Sequence, residues 1–506
     1  MQSLNRQETT VSDDKRISDP ELAVGQTDAL GYTTDAQDVK TASGSQTQLR
    51  ANIDEGMDPW EVKRTMRRVD WRLVPILAAL YSISLIDRTN ISLARAAGMG
   101  RTLNLNIPGT NYYSIAVLIF FVPYILFELP SNLGMRRWGA AKWLGGATIL
   151  WGIVMLAMGF VETWQQLAAC RALLGIFEAA LFPGAVYLLS SWYPRAEVQR
   201  RMSIFYSLSI LASGLSAILA YGLGLIRMYK NQGWRSIFII EGIITVVLGI
   251  VGVLAIVDFP GPKAKFLSEE QRAIVKTRIE RDRADFVQDS MTFSKLMRFS
   301  LDLKIWATAI QFFGATLASY SLSYFLPRIL AGMGFDVALS QLLVAPPYVW
   351  ALVPVIGSAF ISDRFQVRTP LIAFNAICTI IGTSVYSYAT GTGPRYFGVC
   401  LAVGGCNSVV PLVIGYSQIN IRGSAKRAFT SAIVVAFGGI GGIAAGLSFT
   451  ERAAPHYTQG IHLTLAMNAI TVGICVLQHI IFRVQNKRAN DGKAVLEGHQ
   501  DFRYQL

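Results

Sequence analysis

Four charged side chains lie within otherwise apolar stretches of this 506-residue sequence. Asp87 and Arg88 are neighbours in the first apolar stretch, and Arg171 and Glu178 lie in the fourth. An ionised side chain in the middle of a bilayer costs on the order of 3 kcal/mol on insertion scales. Such residues mark a path for a solute or a proton in many membrane proteins, so this pattern indicates a transporter.

The spacing of these residues indicates which chemistry they could perform. Arg171, Gly175 and Glu178 stand at positions i, i+4 and i+7 and share one helix face. Asp87 and Arg88 are adjacent and point about 100° apart on a helix. An arginine suits a carboxylate, and a buried acid changes its proton affinity with its surroundings. We therefore expect binding of an organic anion coupled to protonation. The alternative is a salt-bridge network that only joins helices.

The second half of the chain offers neutral hydrogen-bonding side chains within its apolar stretches. We expect Gln311, Tyr320 and Asn407 to contact the uncharged part of the solute. Tyrosines of membrane helices are also found at the level of the lipid headgroups, and for the tyrosines of this half that location is the alternative to solute binding. The other members of the group are Tyr324, Asn375, Tyr416 and Gln418.

Apolar stretches of roughly 20 residues recur along the chain and must position these side chains. The sequence is 52% hydrophobic, and a helix of about 20 residues crosses the ~30 Å hydrocarbon core of a bilayer. Lipid offers backbone groups no other partner, so each span should be an α-helix. The predicted fold class is an all-α membrane protein with twelve transmembrane helices in two pseudo-symmetric halves. The predicted spans are 72–92, 111–132, 142–161, 166–190, 203–225, 235–257, 303–325, 340–361, 370–388, 396–417, 428–448 and 463–483.

Polar segments separate these spans into domains. We predict a disordered cytosolic tail at 1–60, a six-helix bundle at 61–258 and a second bundle at 303–485. The linker at 259–302 is rich in paired acids and bases, which favours a solvated surface helix. A cytosolic tail at 486–506 follows the second bundle.

Two features predict matched halves with both termini in the cytosol. RRWGAAK (136–142) and DRFQVRT (363–369) each follow the second span of their half, as in transporters built from repeats. The loops on this side are richer in basic residues than the opposite loops, which places the side in the cytosol. The basic residues of this side are Lys63, Arg64, Arg67, Arg68, Arg136, Arg137, Lys142, Arg195, Arg200, Arg201, Arg364, Arg368, Arg422, Lys426 and Arg427.

Other activities find little support in the sequence. The net charge of +13 is carried beside the membrane spans and does not require nucleic acid. No GxxxxGK[ST] motif is present, which disfavours an ATP-driven pump. The cysteines and histidines lack metal-ligand spacing, and no catalytic constellation is visible. We therefore expect no enzyme activity, no metal and no cofactor beyond a proton as the coupling ion, in a carrier that works as a monomer.

The loop SDRFQVR (362–368) resembles the gating loop of the major facilitator superfamily. Asp363 and Arg364 match that loop, whereas Gln366 stands where glycine is usual. We expect Asp363, Arg364 and Arg368 to form a gating loop here. Within that superfamily, residues 60–485 resemble the anion:cation symporter branch and its fungal allantoate-permease-like carriers. The segments that carry this resemblance are LIDRTNIS (85–92), FFVPYILFELPSN (120–132), RALLGIFEAALFPG (171–184), SSWYPRAEVQRR (190–201), GWRSIFIIEG (233–242) and GSAKRA (423–428).

This resemblance implies a secondary carrier at the plasma membrane that uses protons to drive organic anions such as allantoate, nicotinate or vitamin-like acids. It implies that Asp87 and Glu178 carry the proton, while Arg88 and Arg171 bind the substrate carboxylate or hold those acids. One alternative is an exporter of a secondary metabolite or toxic compound with the same fold. Another is a nutrient receptor, although the tails are shorter than such receptors usually have.

Overall fold

The computed structural model describes residues 53–105, 112–226, 228–261, 264, 266–283, 292–449, 457–500 and 502–506, and these residues are mainly helical. The predicted N-terminal tail lies almost wholly outside them. The helices of six or more residues in the first part are Pro59–Ala94 (α1), Tyr112–Leu118 (α2), Phe121–Trp138 (α3), Ala140–Met158 (α4), Trp164–Glu178 (α5), Leu181–Trp192 (α6), Arg195–Leu225 (α7) and Gly233–Ala255 (α8). Those that follow are Glu269–Arg283 (α9), Phe293–Ser300 (α10), Leu303–Ala331 (α11), Val337–Leu342 (α12), Ala345–Phe365 (α13), Thr369–Tyr388 (α14), Thr392–Ile419 (α15), Ser424–Ser448 (α16) and Thr458–Asn490 (α17).

Length and hydropathy allow these helices to cross a membrane. Within the described residues, 11 helical stretches are long and apolar enough to do so, with α2–α3 and α5–α6 each forming one interrupted span. Helix α11 is not among these stretches; its 29 residues are long enough to cross a bilayer, but Gln311 and several serines, threonines and tyrosines make it more polar. The predicted all-α membrane fold is confirmed, and these spans are consistent with twelve transmembrane helices.

Helix α1 is longer than the span 72–92 expected from hydropathy. Its 36 residues extend about 54 Å, which exceeds the bilayer core. The helix begins at Pro59 because Asp58 caps it, accepting a hydrogen bond from the Trp60 amide at 3.0 Å. The added turns carry Asp70, which pairs with Arg201 of α7 at 2.7 Å. They therefore fasten α1 to the neighbouring helices outside the apolar region.

The described part of the linker contains two helices, α9 and α10, where one surface helix was expected. Helix α9 does carry the predicted local pairs, such as Lys276–Glu280 at 3.9 Å. It is not fully solvated, however, because Arg278 is only 4% exposed and pairs with Asp54 at 2.6 Å and Glu197 at 2.7 Å. Charge pairs to other elements therefore dock α9 on the first half. We call this end of the bundle, which carries α9 and α10, the linker end.

The two halves meet along α7, which packs on α13 and α15, and along α3 and α6, which pack on α16. Hydrogen bonds join the halves at the linker end. The Asn132 amide donates to Ser431 Oγ at 3.2 Å, and Arg427 Nη1 donates to the Ser190 carbonyl at 2.8 Å. These contacts close the linker end in this conformation.

Candidate functional site

A cavity lies between the two halves, midway along the helices. Helices α1, α3, α6 and α7 line it from the first half, and α11, α13, α15 and α16 line it from the second. Among the residues that line the cavity, Arg88 carries a formal charge, and most of the other side chains are aromatic or hydroxylic. The lining residues are Tyr81, Leu85, Arg88, Thr89, Tyr124, Phe182, Tyr206, Ile210, Ser213, Phe312, Thr316, Ser319, Tyr320, Ser323, Tyr324, Tyr348, Asn407, Val410, Val435, Gly438 and Gly439.

Arg88 is the centre of the polar contacts in this cavity. Its Nε donates to Glu178 Oε1 at 2.5 Å, and its Nη1 donates to the hydroxyl of Tyr320 at 2.6 Å. Glu178 lies at the end of α5 and also accepts a hydrogen bond from Ser84 at 2.5 Å. The guanidinium lies 4.7 Å from the centroid of the Tyr124 ring. Arg88 thus joins an acid of the first half to a tyrosine of the second.

Part of this centre has no partner within the described residues. The Nη2 of Arg88 and the Oε2 of Glu178 are buried and make no hydrogen bond there. A buried charged donor without an acceptor costs free energy, and so does a buried acceptor without a donor. A carboxylate entering the cavity would supply the acceptor that Arg88 lacks.

Arg171 lies on the predicted face of α5, about two turns from Glu178. It is 2% exposed, and its Nε and Nη1 have no hydrogen-bond partner within the described residues. Its guanidinium lies 5.5 Å from the centroid of the Phe120 ring. Arg171 is a buried cation with unfilled donors close to the cavity, although it is not among the lining residues.

Gly175 explains how α5 comes close to the start of α3. A Cβ atom placed on Gly175 would lie 2.2 Å from the carbonyl oxygen of Phe120, so only glycine fits at this backbone contact. The sequence placed Gly175 on the same face as Arg171 and Glu178. Its structural role here is to let both side chains reach the seam between the halves.

Asp87 points away from the cavity, toward α4 and α8. Its Oδ2 accepts from Trp151 Nε1 at 3.1 Å and lies 3.3 Å from the hydroxyl of Thr245. One turn further along α1, the Asn90 amide donates to the carboxylate of Glu241 on α8. Asp87 and Glu241 are both fully buried. The first half therefore holds a second buried acidic site, formed by Asp87 and Glu241, apart from the Arg88–Glu178 pair.

The structure separates the neutral residues that were expected to bind the solute. Tyr320 and Asn407 line the cavity, and Asn407 Oδ1 accepts from Tyr206 of the first half at 3.4 Å. Gln311 instead faces α17, where its amide donates to Gln478 at 3.0 Å and to the sulfur of Cys475 at 3.2 Å. Its expected contact with the solute is corrected to a helix-packing contact. Burial and polarity alone could not show which way it points.

The loop after α13 lies at the linker end and touches both halves. Asp363 Oδ2 accepts from the backbone amide of Arg200 on α7 at 3.1 Å, and Arg368 lies 3.8 Å from Asp363. Arg364 is exposed. Gln366 has a φ of 55°, in the left-handed region that glycine occupies at lower cost. The side-chain amide of Gln366 donates to the backbone carbonyl of Asp363 at 2.7 Å, and this hydrogen bond offsets part of the conformational cost.

Comparison with known proteins connects this arrangement to a family. Residues 77–446 match the family model of the Major Facilitator Superfamily. The chain is 27% identical to the major facilitator-type transporter hxnP of Emericella nidulans, over 94% of this chain and 97% of that protein. It is 28% identical to the high-affinity nicotinic acid transporter of Saccharomyces cerevisiae, over 91% of this chain and 86% of that protein.

Among solved structures, the chain is similar to the proton:xylose symporter XylE in complex with a halogenated glucose derivative. The TM-score is 0.65 at 13% identity, over 81% of this chain and 95% of XylE. At this identity the likeness concerns the fold. The family model covers most of the chain, so this protein belongs to the major facilitator superfamily and is a membrane transporter, not an enzyme.

Proposed function

We propose that this protein is a proton-coupled symporter for a small organic anion with one carboxylate and a flat ring. The contact that carries the proposal is the 2.5 Å hydrogen bond between Arg88 and Glu178 inside the cavity. It supports coupling because Arg88 can have one of two negative partners, Glu178 or the carboxylate of a solute.

A proton on Glu178 would decide between these two partners. While Glu178 is ionised, it neutralises Arg88, and an incoming anion would meet a buried acid. Protonation removes that charge and leaves Arg88 with unfilled donors, which favours the solute carboxylate. Arg171 offers a second cation with open donors, and Asp87 offers a second carboxyl for the coupling proton. Proton and anion would therefore each increase the affinity for the other, as reciprocal linkage requires.

The other walls of the cavity favour a planar solute body. Aromatic rings line it from both halves, and aromatic pairs stack face to face with an offset or edge to face. The hydroxyl of Tyr320 accepts from Arg88 and keeps its own proton to donate, and Asn407 offers an amide. The name of the yeast relative agrees with this chemistry, because nicotinic acid is a carboxylate on a flat ring. The lining aromatic residues are Tyr81, Tyr124, Phe182, Tyr206, Phe312, Tyr320, Tyr324 and Tyr348.

The basic loops of the linker end support its orientation toward the cytosol, in line with the positive-inside rule. The plasma membrane is the proposed location, since an external acid would be taken up there. Asp363, Arg364 and Arg368 would form the gating loop at this end. One chain lines the whole cavity, which supports a monomer as the working unit.

Uptake into sealed proteoliposomes under an inward proton gradient tests this function. The labelled panel contains nicotinate, benzoate, allantoate, pantothenate, biotin and a neutral amide analogue, nicotinamide. We expect gradient-dependent accumulation of a flat-ring monocarboxylate and none of nicotinamide, because only the acid can replace Glu178 on Arg88. Accumulation of no acid, together with drug or metabolite efflux from the same vesicles, would contradict import and favour an exporter.

Replacing Tyr320 with phenylalanine should raise the half-saturating solute concentration about tenfold, since a hydrogen bond to a charged group contributes roughly 1.5–3 kcal/mol. The matched control is Tyr324→Phe, the same change on a ring whose centroid lies 5.8 Å from that of Tyr320. We expect that control to stay within about twofold of the wild type. The measurement is the initial uptake rate against solute concentration, and equal effects of both variants would contradict a specific role for Tyr320.

A further inference from the structure

The residues 496–500 and 502–506, which follow α17, fold back onto the linker end of the bundle. A polar tail was expected after α17, yet Phe502, Tyr504 and Gln505 are 3%, 6% and 6% exposed. Tyr504 stacks on Phe482 of α17 with 4.4 Å between ring centroids. These contacts make the segment a packed part of the fold.

Two asparagines of the second half hold the backbone of this segment. Asn486 of α17 donates to the Tyr504 carbonyl at 2.7 Å and accepts from the Tyr504 amide at 2.8 Å. Asn420, which follows α15, donates to the Gln505 carbonyl at 3.2 Å and accepts from the Gln505 amide at 2.7 Å. Each asparagine thus satisfies both backbone groups of one residue, which fixes the segment in position.

An ion cluster adds a third attachment to the second half. Glu497 contacts Lys304 of α11 and lies 2.9 Å from the ammonium group of Lys426 on α16. Burial alone would raise the pKa of Glu497, but these two ammonium groups outweigh it and lower the pKa. Glu497 therefore stays ionised at neutral pH and loses its charge only as the pH falls below the usual range of a carboxyl.

Phe502 of this segment reaches the first half. Its ring centroid lies 4.7 Å from the guanidinium carbon of Arg195, the first residue of α7. Arg195 is held in place by Asp282 of α9, with 3.1 Å between Nε and Oδ1. The segment thus has several attachments to the second half and a ring–cation contact to the first.

We propose that residues 496–500 and 502–506 form a latch that holds the linker end closed through Phe502 and Arg195. Carriers of this architecture expose their central site to each side in turn by rocking one half against the other. When the linker end opens, the start of α7 must move away from the second half. The asparagine pairs and the ion cluster lie within the second half and stay intact. The contact between Phe502 and Arg195 spans the seam and must break, so it biases the carrier toward the closed linker end.

A cysteine in place of Ser431 reports whether the linker end is open. Ser431 is buried and accepts a hydrogen bond from Asn132 across the seam, so a water-soluble maleimide reaches position 431 only after the halves separate. Mass spectrometry of the peptide containing residue 431 measures the labelling rate without removing the native cysteines. The assay requires no solute, so its outcome is independent of the proposed substrate.

In this reporter background, Phe502→Leu keeps an apolar side chain but removes the ring over Arg195. We expect labelling at residue 431 to become about three- to tenfold faster, as expected for loss of a partly buried ring–cation contact. Phe502→Tyr keeps the ring and should label at the wild-type rate. Phe502→Ala should behave as the leucine variant does, and elution from size exclusion verifies that each variant is folded. Equal labelling rates in the leucine variant and the wild type would overturn the latch.

Discussion

Replacing Glu178 with glutamine should abolish proton-driven accumulation of the solute while solute exchange continues. Glutamine matches the shape of the acid but carries neither its charge nor its titratable proton. Arg88 then loses its ion-pair partner Glu178, so the solute carboxylate still binds. The internal concentration should rise only to the external one, a loss of at least about tenfold in accumulation, within the usual range of coupling energies. Gradient-driven uptake and solute counterflow in the same proteoliposomes measure both activities.

Glu162→Gln is the matched control for this change. Glu162 lies on an exposed loop, where it pairs with Lys230, and we expect that variant to accumulate solute as the wild type does. Asp87→Asn belongs in the same series, because Asp87 is proposed to share the proton although it lies outside the cavity. It should also lose accumulation. A Glu178→Gln variant that concentrates solute as well as the wild type would exclude Glu178 as the coupling site.

Replacing Gly175 with alanine should have the second large effect. The added methyl group would lie 2.2 Å from the Phe120 carbonyl oxygen, and a backbone atom cannot rotate out of the way. Helix α5 must then move away from α3, which carries Arg171 and Glu178 away from the seam. Forced overpacking typically costs about 1–3 kcal/mol, so we expect a clearly lower thermal unfolding temperature and little remaining uptake in any folded protein.

Gly473→Ala provides the comparison for that variant. Gly473 lies inside α17, and a Cβ atom there meets nothing within 4 Å. Alanine has the higher helix propensity, so this change should leave transport unchanged and stability equal or slightly higher. Thermal unfolding of the purified proteins and uptake by reconstituted vesicles compare the two variants. A Gly175→Ala protein with normal stability and uptake would show that α5 and α3 do not need this close contact.

The helices were predictable because a run of apolar residues in lipid has no other structure available to it. The face shared by Arg171 and Glu178 was predictable too, since helical periodicity fixes directions within one helix. The contacts between side chains of different helices were not predictable. Whether Glu178 meets Arg88 or Asp87 depends on how α1 is rotated against α5, and the sequence carries no direct signal for that rotation.

The residues whose environment differed from expectation did so for the same reason, because the sequence does not show which neighbour a side chain contacts. Gln311 has the polarity of a residue that contacts a solute, yet it faces α17 because another glutamine is available there. The latch was missed because 496–506 lacks an apolar run. The sequence signal for a packed segment was small, because it consists of two aromatic residues, Phe502 and Tyr504, in a polar context. The hydrogen bonds of Asn420 and Asn486 to its backbone leave no pattern in the sequence.

The exchange of negative partners at Arg88 has an energetic consequence. If one proton enters with each monoanion, the pair crosses the membrane without net charge, and the transmembrane voltage does no work on the cycle. The pH difference alone then limits the concentration ratio to about tenfold for each pH unit, since a factor of ten corresponds to about 1.4 kcal/mol. The driving force for accumulation by such a carrier comes from an acidic external medium, and depolarising the membrane does not reduce it.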